Sequence, residues 1–114
     1  MDYLRLLNIL NEGLEVDEVS SIKFFRSDVN SRFIWIQVLM AHYKAKNICT
    51  EDIMRMDFPI HISRPTIFKI IDNAVTKDYL KKEHDIMDHR RLNLLPTLIT
   101  ITEFEKWAEV YKGF

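Results

Sequence analysis

The chain has 114 residues, a formal net charge of −1, and 47% hydrophobic and 29% charged residues. This balance allows one domain with a buried core, and only two glycines and three prolines argue against a loop-rich or all-β protein. The near-neutral charge excludes a protein that coats nucleic acid nonspecifically, so any nucleic-acid site must be a local patch.

Cellular location is indicated by what the sequence lacks. Cys49 is the only cysteine, so no intrachain disulfide is possible, which fits a reducing compartment. Polar and charged residues interrupt the N-terminal apolar pattern, unlike a secretory signal. The most apolar run, residues 33–41, is too short to cross a bilayer. These features predict a cytoplasmic protein with no membrane segment.

The first half of the chain predicts three helices. Apolar residues at helical spacing indicate a short helix from Tyr3 to about Gly13 and a second helical piece over residues 16–26. A third helix begins after Asp28 and ends near Lys44. Because this helix is apolar nearly all round between residues 33 and 43, it is expected to lie at the centre of the domain.

The middle of the chain predicts a helix-turn-helix. Thr50 is a candidate N-cap for a helix of about two turns, which Pro59 stops. Ser63 caps a longer helix over residues 63–77, with Pro65 in its first turn. Apolar residues recur on one stripe of this helix at Ile67, Ile70, Ile71, Ala74 and Val75.

The segment after this helix predicts a β-hairpin. Residues 78–84 and 92–95 read as strands around a polar turn over residues 85–91. A hairpin directly after a helix-turn-helix is a wing. The final segment is ambiguous, because residues 97–102 have high β propensity and Thr102 could cap a later helix. Helical spacing and a possible N-cap at Thr97 favour one helix over residues 97–112.

The polar face of the 63–77 helix carries side chains that can reach bases and phosphates in a DNA major groove: Arg64, Thr66, Lys69, Asn73 and Lys77. An isolated helix of this kind is more often an ordinary amphipathic helix with a solvated face. The wing that follows shifts the balance toward DNA binding. Its tip carries Arg90 and Arg91, whose charge attracts phosphate or the minor groove.

Several short motifs occur in a familiar order over roughly residues 30–112. They are Ser63-x-x-Thr66, Ile70-Ile71-Asp72 with Lys77, Tyr79-Leu80, Asp88-x-Arg90-Arg91, and Pro96-Thr97 followed by Trp107. Together they resemble the winged-helix DNA-binding domain of the MarR (multiple-antibiotic-resistance regulator) family. The resemblance implies a mainly α fold with a small β-wing, that is, a winged helix-turn-helix.

The resemblance also implies a domain plan and a site. Residues 1–114 form one domain, with a helical extension over 1–27 for dimerisation, a core over 28–96 and a C-terminal helix over 97–114. The implied DNA-binding residues are Ser63, Arg64, Thr66, Lys69, Asn73, Lys82, Arg90 and Arg91. Asp88 is expected to orient one wing arginine by a charge-assisted hydrogen bond. No cofactor and no metal are implied.

The sequence departs from the family pattern at several positions. Asp78 replaces the usual small residue or glycine after the recognition helix, and His89 stands where a wing arginine is common. Ala74-Val75 replaces the usual arginine-leucine, so one base-reading charge is missing. The chain is shorter than the family pattern with its long C-terminal helix pair, so dimerisation, if it is kept, is expected to use residues 1–30 and 97–112. Their apolar stripes, expected to be exposed, are Tyr3, Leu7, Leu10, Leu14, Leu98, Ile101, Phe104, Tyr111 and Phe114.

Catalysis and metal binding have little support in the sequence. His61, His84, Asp88 and His89 show no zinc-ligand spacing, and the acidic neighbours of Cys49 disfavour a thiolate nucleophile. The function predicted is therefore a non-enzymatic, sequence-specific regulator that binds duplex DNA as a homodimer, with any small-molecule effector unknown. The alternative is a winged-helix module that binds protein and not DNA.

Overall fold

The computed structural model describes residues 3–5, 7–8 and 20–109. Residues 3–5 and 7–8 are helical, whereas Leu10, Leu14, Tyr111 and Phe114 lie outside the described residues. The elements are α1 (Ser20–Phe25), α2 (Val29–Tyr43), α3 (Thr50–Met54), α4 (Arg64–Thr76), β1 (Leu80–His84), β2 (Leu92–Pro96) and α5 (Leu98–Ala108). The predicted fold class, mainly α with a two-stranded wing, is confirmed. None of the described helices is long and apolar enough to cross a membrane.

Helix α2 begins at a strong N-cap and supplies much of the core. Asp28 accepts hydrogen bonds from the backbone N–H and the hydroxyl of Ser31, at 2.8 and 2.9 Å. Partial burial acts to raise the pKa of the Asp28 carboxyl, but these hydrogen bonds outweigh it and hold the pKa below its ordinary value. The buried residues of α2 include Ile34, Trp35, Val38 and Leu39.

The core draws on both ends of the described chain. Ile22 and Phe25 of α1 are fully buried, although they fall within the predicted N-terminal extension. Phe104 and Trp107 of α5 pack edge-on against Trp35, so Phe104 is half-buried and its predicted exposure was wrong. Helix α2 supplies core residues, in line with the expected central position, but its outer side, including Ile36, Met40 and Tyr43, is exposed.

Two N-caps fix where the helices of the helix-turn-helix begin. Helix α3 has Cys49 as its N-cap, not Thr50 as the sequence predicted, and the Cys49 N–H donates to Asp52 Oδ2 at 3.0 Å. Helix α4 begins as predicted, because Ser63 Oγ accepts a hydrogen bond from the Thr66 N–H at 3.3 Å. The buried residues of α4 are Ile67, Ile71 and Ala74, all members of the predicted apolar stripe.

Helix α4 ends in a tight left-handed turn. Asp78 has a φ of 64°. At this position the sequences of the MarR family usually have a glycine or another small residue. An L-residue with a side chain is disfavoured there, and aspartate is among the better tolerated types. The turn is closed by a 2.8 Å hydrogen bond from the Tyr79 N–H to the Ala74 carbonyl. This turn sends the chain directly into β1.

Strand β1 pairs with β2 in an antiparallel register that runs from Leu80↔Pro96 to His84↔Leu92. Helix α5 follows immediately, with Thr97 as N-cap, which confirms the predicted helix over 97–112 as far as the described residues extend. The Thr97 and Thr100 hydroxyls each donate at 2.7 Å, to the carbonyls of Asp78 and Tyr79 respectively. These hydrogen bonds attach the start of α5 to the α4–β1 turn.

A polar clamp attaches the wing to α3. Arg91 Nη2 lies 2.6 Å from Asp52 Oδ2, and Arg91 Nε donates to Asn93 Oδ1 at 3.1 Å. The Leu94 N–H donates to the Ile48 carbonyl at 2.7 Å, so β2 also contacts the residues before α3. Partial burial raises the pKa of Asp52, but hydrogen bonds from Cys49 and Arg91 outweigh it and lower the pKa overall. The hydrogen bond from Arg91 to Asp52 raises the pKa of Arg91 in turn.

The strained turn predicts opposite effects of two substitutions at Asp78. Asp78→Gly should leave the free energy of unfolding unchanged or raise it, because glycine adopts a positive φ without strain. Asp78→Val should lower it by about 1 to 2 kcal/mol. Urea denaturation measures both. The same two changes at Asp57, an exposed residue without a positive φ, serve as the control. Equal destabilisation by both Asp78 variants would contradict the strain argument.

The clamp predicts a stability loss in acid. Because the folded-state pKa of Asp52 lies below the ordinary value of 3.8, the unfolded chain binds the proton more readily. The stabilisation of the fold by the charged Asp52 carboxylate is therefore complete above the ordinary pKa of aspartate. It is lost as the pH falls through the lower folded-state pKa of Asp52. Between pH 6 and pH 3, Asp52→Asn should lose less stability than the unmodified protein, as measured by urea denaturation. Asp57→Asn, outside the clamp, should retain the full pH dependence.

Candidate nucleic-acid interface

The open face of α4 carries Lys69 and Asn73, two of the implied DNA-binding residues. Lys69 and Asn73 are exposed, and neither side chain makes an ion pair or hydrogen bond within the part of the chain that the structure describes. They lie four residues apart on one face, so both can meet the same surface of another molecule. This pair is the most available polar group among the predicted site residues.

The first turn of α4 is partly committed to its own cap. The hydroxyls of Ser63 and Thr66 lie 2.8 Å apart, and the Ser63 hydroxyl also accepts the Thr66 N–H. Both residues are exposed. Ser63 therefore has a structural role besides the predicted one, whereas the methyl group of Thr66 stays open to a partner.

Acidic side chains accompany the other predicted cations. Arg64 Nη2 lies 3.5 Å from Glu51 Oε2, and Lys82 Nζ lies 3.6 Å from Asp72 Oδ1. Within the described residues, Lys69 is thus the one cation of the eight implied DNA-binding residues without an acidic partner. The pairing makes the face less basic than its arginines and lysines suggest. Exposed pairs of this kind are worth at most about 1 kcal/mol, so phosphate can displace the carboxylates at small cost.

The two wing arginines have different environments. Arg90 is almost fully exposed, with its side chain 94% accessible, and its Nε lies 3.4 Å from Asp88 Oδ1. This contact is the one on which the expected orienting role of Asp88 depends. Arg91 is instead half-buried in the clamp with Asp52 and Asn93. The structure thus separates two neighbours that the sequence treated alike.

The turn at the wing tip is shaped by Asp85. Its Oδ2 accepts the backbone N–H groups of Met87 and Asp88, each at 2.9 Å, and its Oδ1 accepts from Asn93 at 2.9 Å. The Asn93 amide and these backbone hydrogen bonds lower the pKa of Asp85. The carboxylate therefore stays charged and holds the tip that presents Arg90.

An open groove of about 620 Å³ lies between α3, α4 and the wing. Its lining residues are Cys49, Thr50, Glu51, Asp52, Arg55, Phe68, Lys82, Asp88, Arg90, Arg91 and Leu92. Sequence reasoning missed Arg55 and Phe68 as site residues. For Phe68 a signal was present, since it falls off the buried stripe of α4 yet is strongly apolar. No comparable signal marked Arg55, because its position depends on how α3 packs.

The histidines and the cysteine lie apart from any metal-like cluster. Over the described residues, no group of three or more His, Cys, Asp or Glu side chains is placed to hold a metal ion. His84 Nδ1 instead lies 2.9 Å from the His89 carbonyl within the wing. Cys49 is buried at the start of α3.

Similarity to known proteins is visible in the fold but not in the sequence. The sequence matches no protein-family model and no curated protein. Among solved structures, the chain is similar to a mutant of S. aureus MepR, with a TM-score of 0.56 and 19% identity over 97% of this chain and 77% of that one. It is also similar to a second S. aureus MepR mutant, bound to an oligodeoxyribonucleotide, with a TM-score of 0.55 and 20% identity over 97% and 77%.

A third similar structure is wild-type MarR from E. coli in its apo form. The TM-score is 0.51 and the identity 14%, over 99% of this chain and 78% of that one. Identities this low speak for the fold alone. At that level the predicted resemblance is confirmed: the chain has the winged helix-turn-helix fold of the MarR-family regulators.

Proposed function

We propose that this protein is a MarR-like transcriptional regulator that binds duplex DNA sequence-specifically as a homodimer. The observation that carries the proposal is the open polar face of α4 beside a wing that presents Arg90. A helix of this kind inserts into the major groove, while the wing reaches the flanking backbone or minor groove. The structural similarity to a MepR mutant bound to an oligodeoxyribonucleotide supports the same interpretation.

The role proposed for each polar side chain of α4 depends on whether that side chain already has a partner within the protein. Lys69 and Asn73 have no competing partner among the described residues, so they contact base edges or phosphates directly. Arg64 contacts DNA after its ion pair with Glu51 is broken. Thr66 offers its methyl group to a base. Ser63 holds the first turn and lies where its backbone can meet a phosphate.

The roles proposed for the wing differ between its cations. Arg90, oriented by Asp88, contacts phosphate or the minor groove. Lys82 contacts phosphate after release from Asp72. Arg91 contributes indirectly, because its ion pair with Asp52 holds the wing against α3.

Dimerisation is proposed from exposed apolar side chains at both ends of the described chain. Tyr3, Leu4 and Leu7 are between 60 and 73% exposed, and Leu98 and Ile99 of α5 are 78 and 48% exposed. Exposed apolar residues that form a contiguous patch commonly mark a protein interface. A twofold dimer would place two recognition helices in successive major grooves, about 34 Å apart.

A second candidate function is a winged-helix module that binds protein. The observation in its favour is the pairing of Arg64, Lys82 and Arg90 with acidic residues, which weakens the attraction of this face for phosphate. The binding experiments below distinguish the two.

DNA binding should depend on Lys69. We expect the protein to select a preferred duplex from a random pool and to bind it less tightly as salt rises, because counterions are released. Lys69→Ala should weaken binding to that duplex and lower the salt slope by about 1. Fluorescence anisotropy at several salt concentrations measures both. Lys106→Ala, which removes an exposed lysine from α5, is the matched control. Absence of binding to any duplex at low salt would favour the protein-binding function.

The two wing arginines should respond differently to alanine. Arg90→Ala should weaken binding to preferred and random DNA alike and leave stability unchanged, because its side chain is exposed and backbone contacts carry little sequence information. Arg91→Ala should lower the denaturation midpoint, because it leaves Asp52 without its cation. Fluorescence anisotropy measures DNA binding by both variants, and urea denaturation measures their stability. An Arg91→Ala variant as stable as the unmodified protein would show that the Arg91–Asp52 ion pair does not stabilise the fold.

The protein should be a dimer at micromolar concentration. Light scattering should give twice the chain mass, and Leu98→Glu should shift the population to the monomer by placing a charge in the interface. Ile86→Glu is the control, since Ile86 is a comparably exposed apolar residue on the wing. A monomer mass for the unmodified protein at all concentrations would refute the dimer.

A further inference from the structure

Phe68 is an unusual residue for the face on which it lies. It is a large aromatic side chain, 42% exposed, on a helix that buries Ile67, Ile71 and Ala74 elsewhere. It follows Arg64 by four residues and precedes Asp72 by four, so the three form one row along α4. Packing in the core therefore does not explain why this position has a large aromatic side chain.

The surroundings of Phe68 indicate what kind of surface could cover it. In the part of the chain that the structure describes, it is the one α4 residue that lines the groove between α3 and the wing. The charged side chains of the groove are four cations, Arg55, Lys82, Arg90 and Arg91, and three carboxylates, Glu51, Asp52 and Asp88. Asp52 and Asp88 are paired with Arg91 and Arg90, and the cations that remain are suited to a phosphate backbone. Lys69, next in sequence, carries a cation on the open face of α4. The ring thus lies among groups that fit the strands bordering a DNA major groove.

We propose that Phe68 is a specificity-determining residue whose ring contacts the 5-methyl group of a thymine in the major groove. The proposal rests on the DNA-binding function proposed above and names one base that the protein reads. Thymine is the base that presents an apolar group in the major groove, and phenylalanine is among the side chains that contact it. Removing a methyl group from water against the ring is worth about a fourfold difference in affinity between thymine and a base without the methyl.

The test uses a chemical change in the DNA that removes only the methyl group. Deoxyuridine pairs with adenine as thymidine does, so each thymidine of the selected duplex is replaced by deoxyuridine in turn. For the unmodified protein, we expect about a fourfold loss of affinity at one position in each half-site. Phe68→Ala should bind the thymidine and deoxyuridine duplexes equally at that position, which isolates the pair in a double-mutant cycle.

Two further variants complete the experiment. Phe68→Gln keeps a side chain of substantial length but removes its apolar character, and should behave as Phe68→Ala does even if the alanine variant folds poorly. Met40→Ala is the control, because Met40 is 43% exposed on α2 and does not line the groove. It should retain the full loss on deoxyuridine substitution. Circular dichroism establishes that each variant is folded.

The outcomes separate this inference from the proposed function. If the protein binds its selected duplex but no deoxyuridine substitution affects it, the methyl contact is refuted and DNA binding stands. If the Phe68 variants lose affinity equally for thymidine and deoxyuridine duplexes, Phe68 acts without reading the methyl, and the inference is again refuted. If no duplex is bound at all, the proposed function fails together with the inference.

Discussion

The amphipathic pattern of α4 is the constraint on which the rest of the site depends. Burial of Ile67, Ile71 and Ala74 fixes the rotation of the helix about its axis. That rotation leaves Lys69 and Asn73 facing outward and directs Phe68 toward the groove. A one-residue change in the stripe would turn the helix by about 100° and present different side chains. The core therefore determines the composition of the exposed face as well as the stability of the domain.

The wing is positioned by apolar packing of Leu80 and Leu94 in the core and by polar contacts to the start of α3. Strand β1 contributes one buried residue, Leu80, and the rest of the strand is exposed. The Asp52–Arg91 ion pair and the Leu94–Ile48 hydrogen bond hold the hairpin against the start of α3. Because these contacts join the hairpin to the helix-turn-helix, the wing and α4 form one continuous surface. Arg90 extends from that surface while Arg91 is used to build it.

For the proposed DNA binding, the charge pairing across this surface implies a balance between affinity and selectivity. A face on which Arg64 and Lys82 are each accompanied by a carboxylate attracts phosphate weakly at long range. Such a protein derives less of its binding free energy from contacts that are the same for every sequence. Specificity then depends more on groups that read base edges, among which Lys69, Asn73 and the proposed Phe68 contact are the candidates. The small net charge of −1 is compatible with a weak long-range attraction for phosphate.

Local features of the sequence were enough to define most of the secondary structure, since helix caps, apolar periodicity and strand propensity act over a few residues. Ser63, Thr97 and the apolar stripe of α4 predicted their elements correctly. Cys49 was missed as a cap, because cysteine is not among the usual N-cap residues, and the hydrogen bond here runs from its N–H to the Asp52 side chain. Phe104 was misplaced on the surface, because helical spacing does not reveal that a neighbour such as Trp35 covers it. The folded arrangement was needed to separate Arg91 from Arg90 and to pair Arg64, Lys82 and Arg91 with carboxylates. Those partners are up to 39 residues apart in the chain, and local patterns carry no information about contacts at that separation.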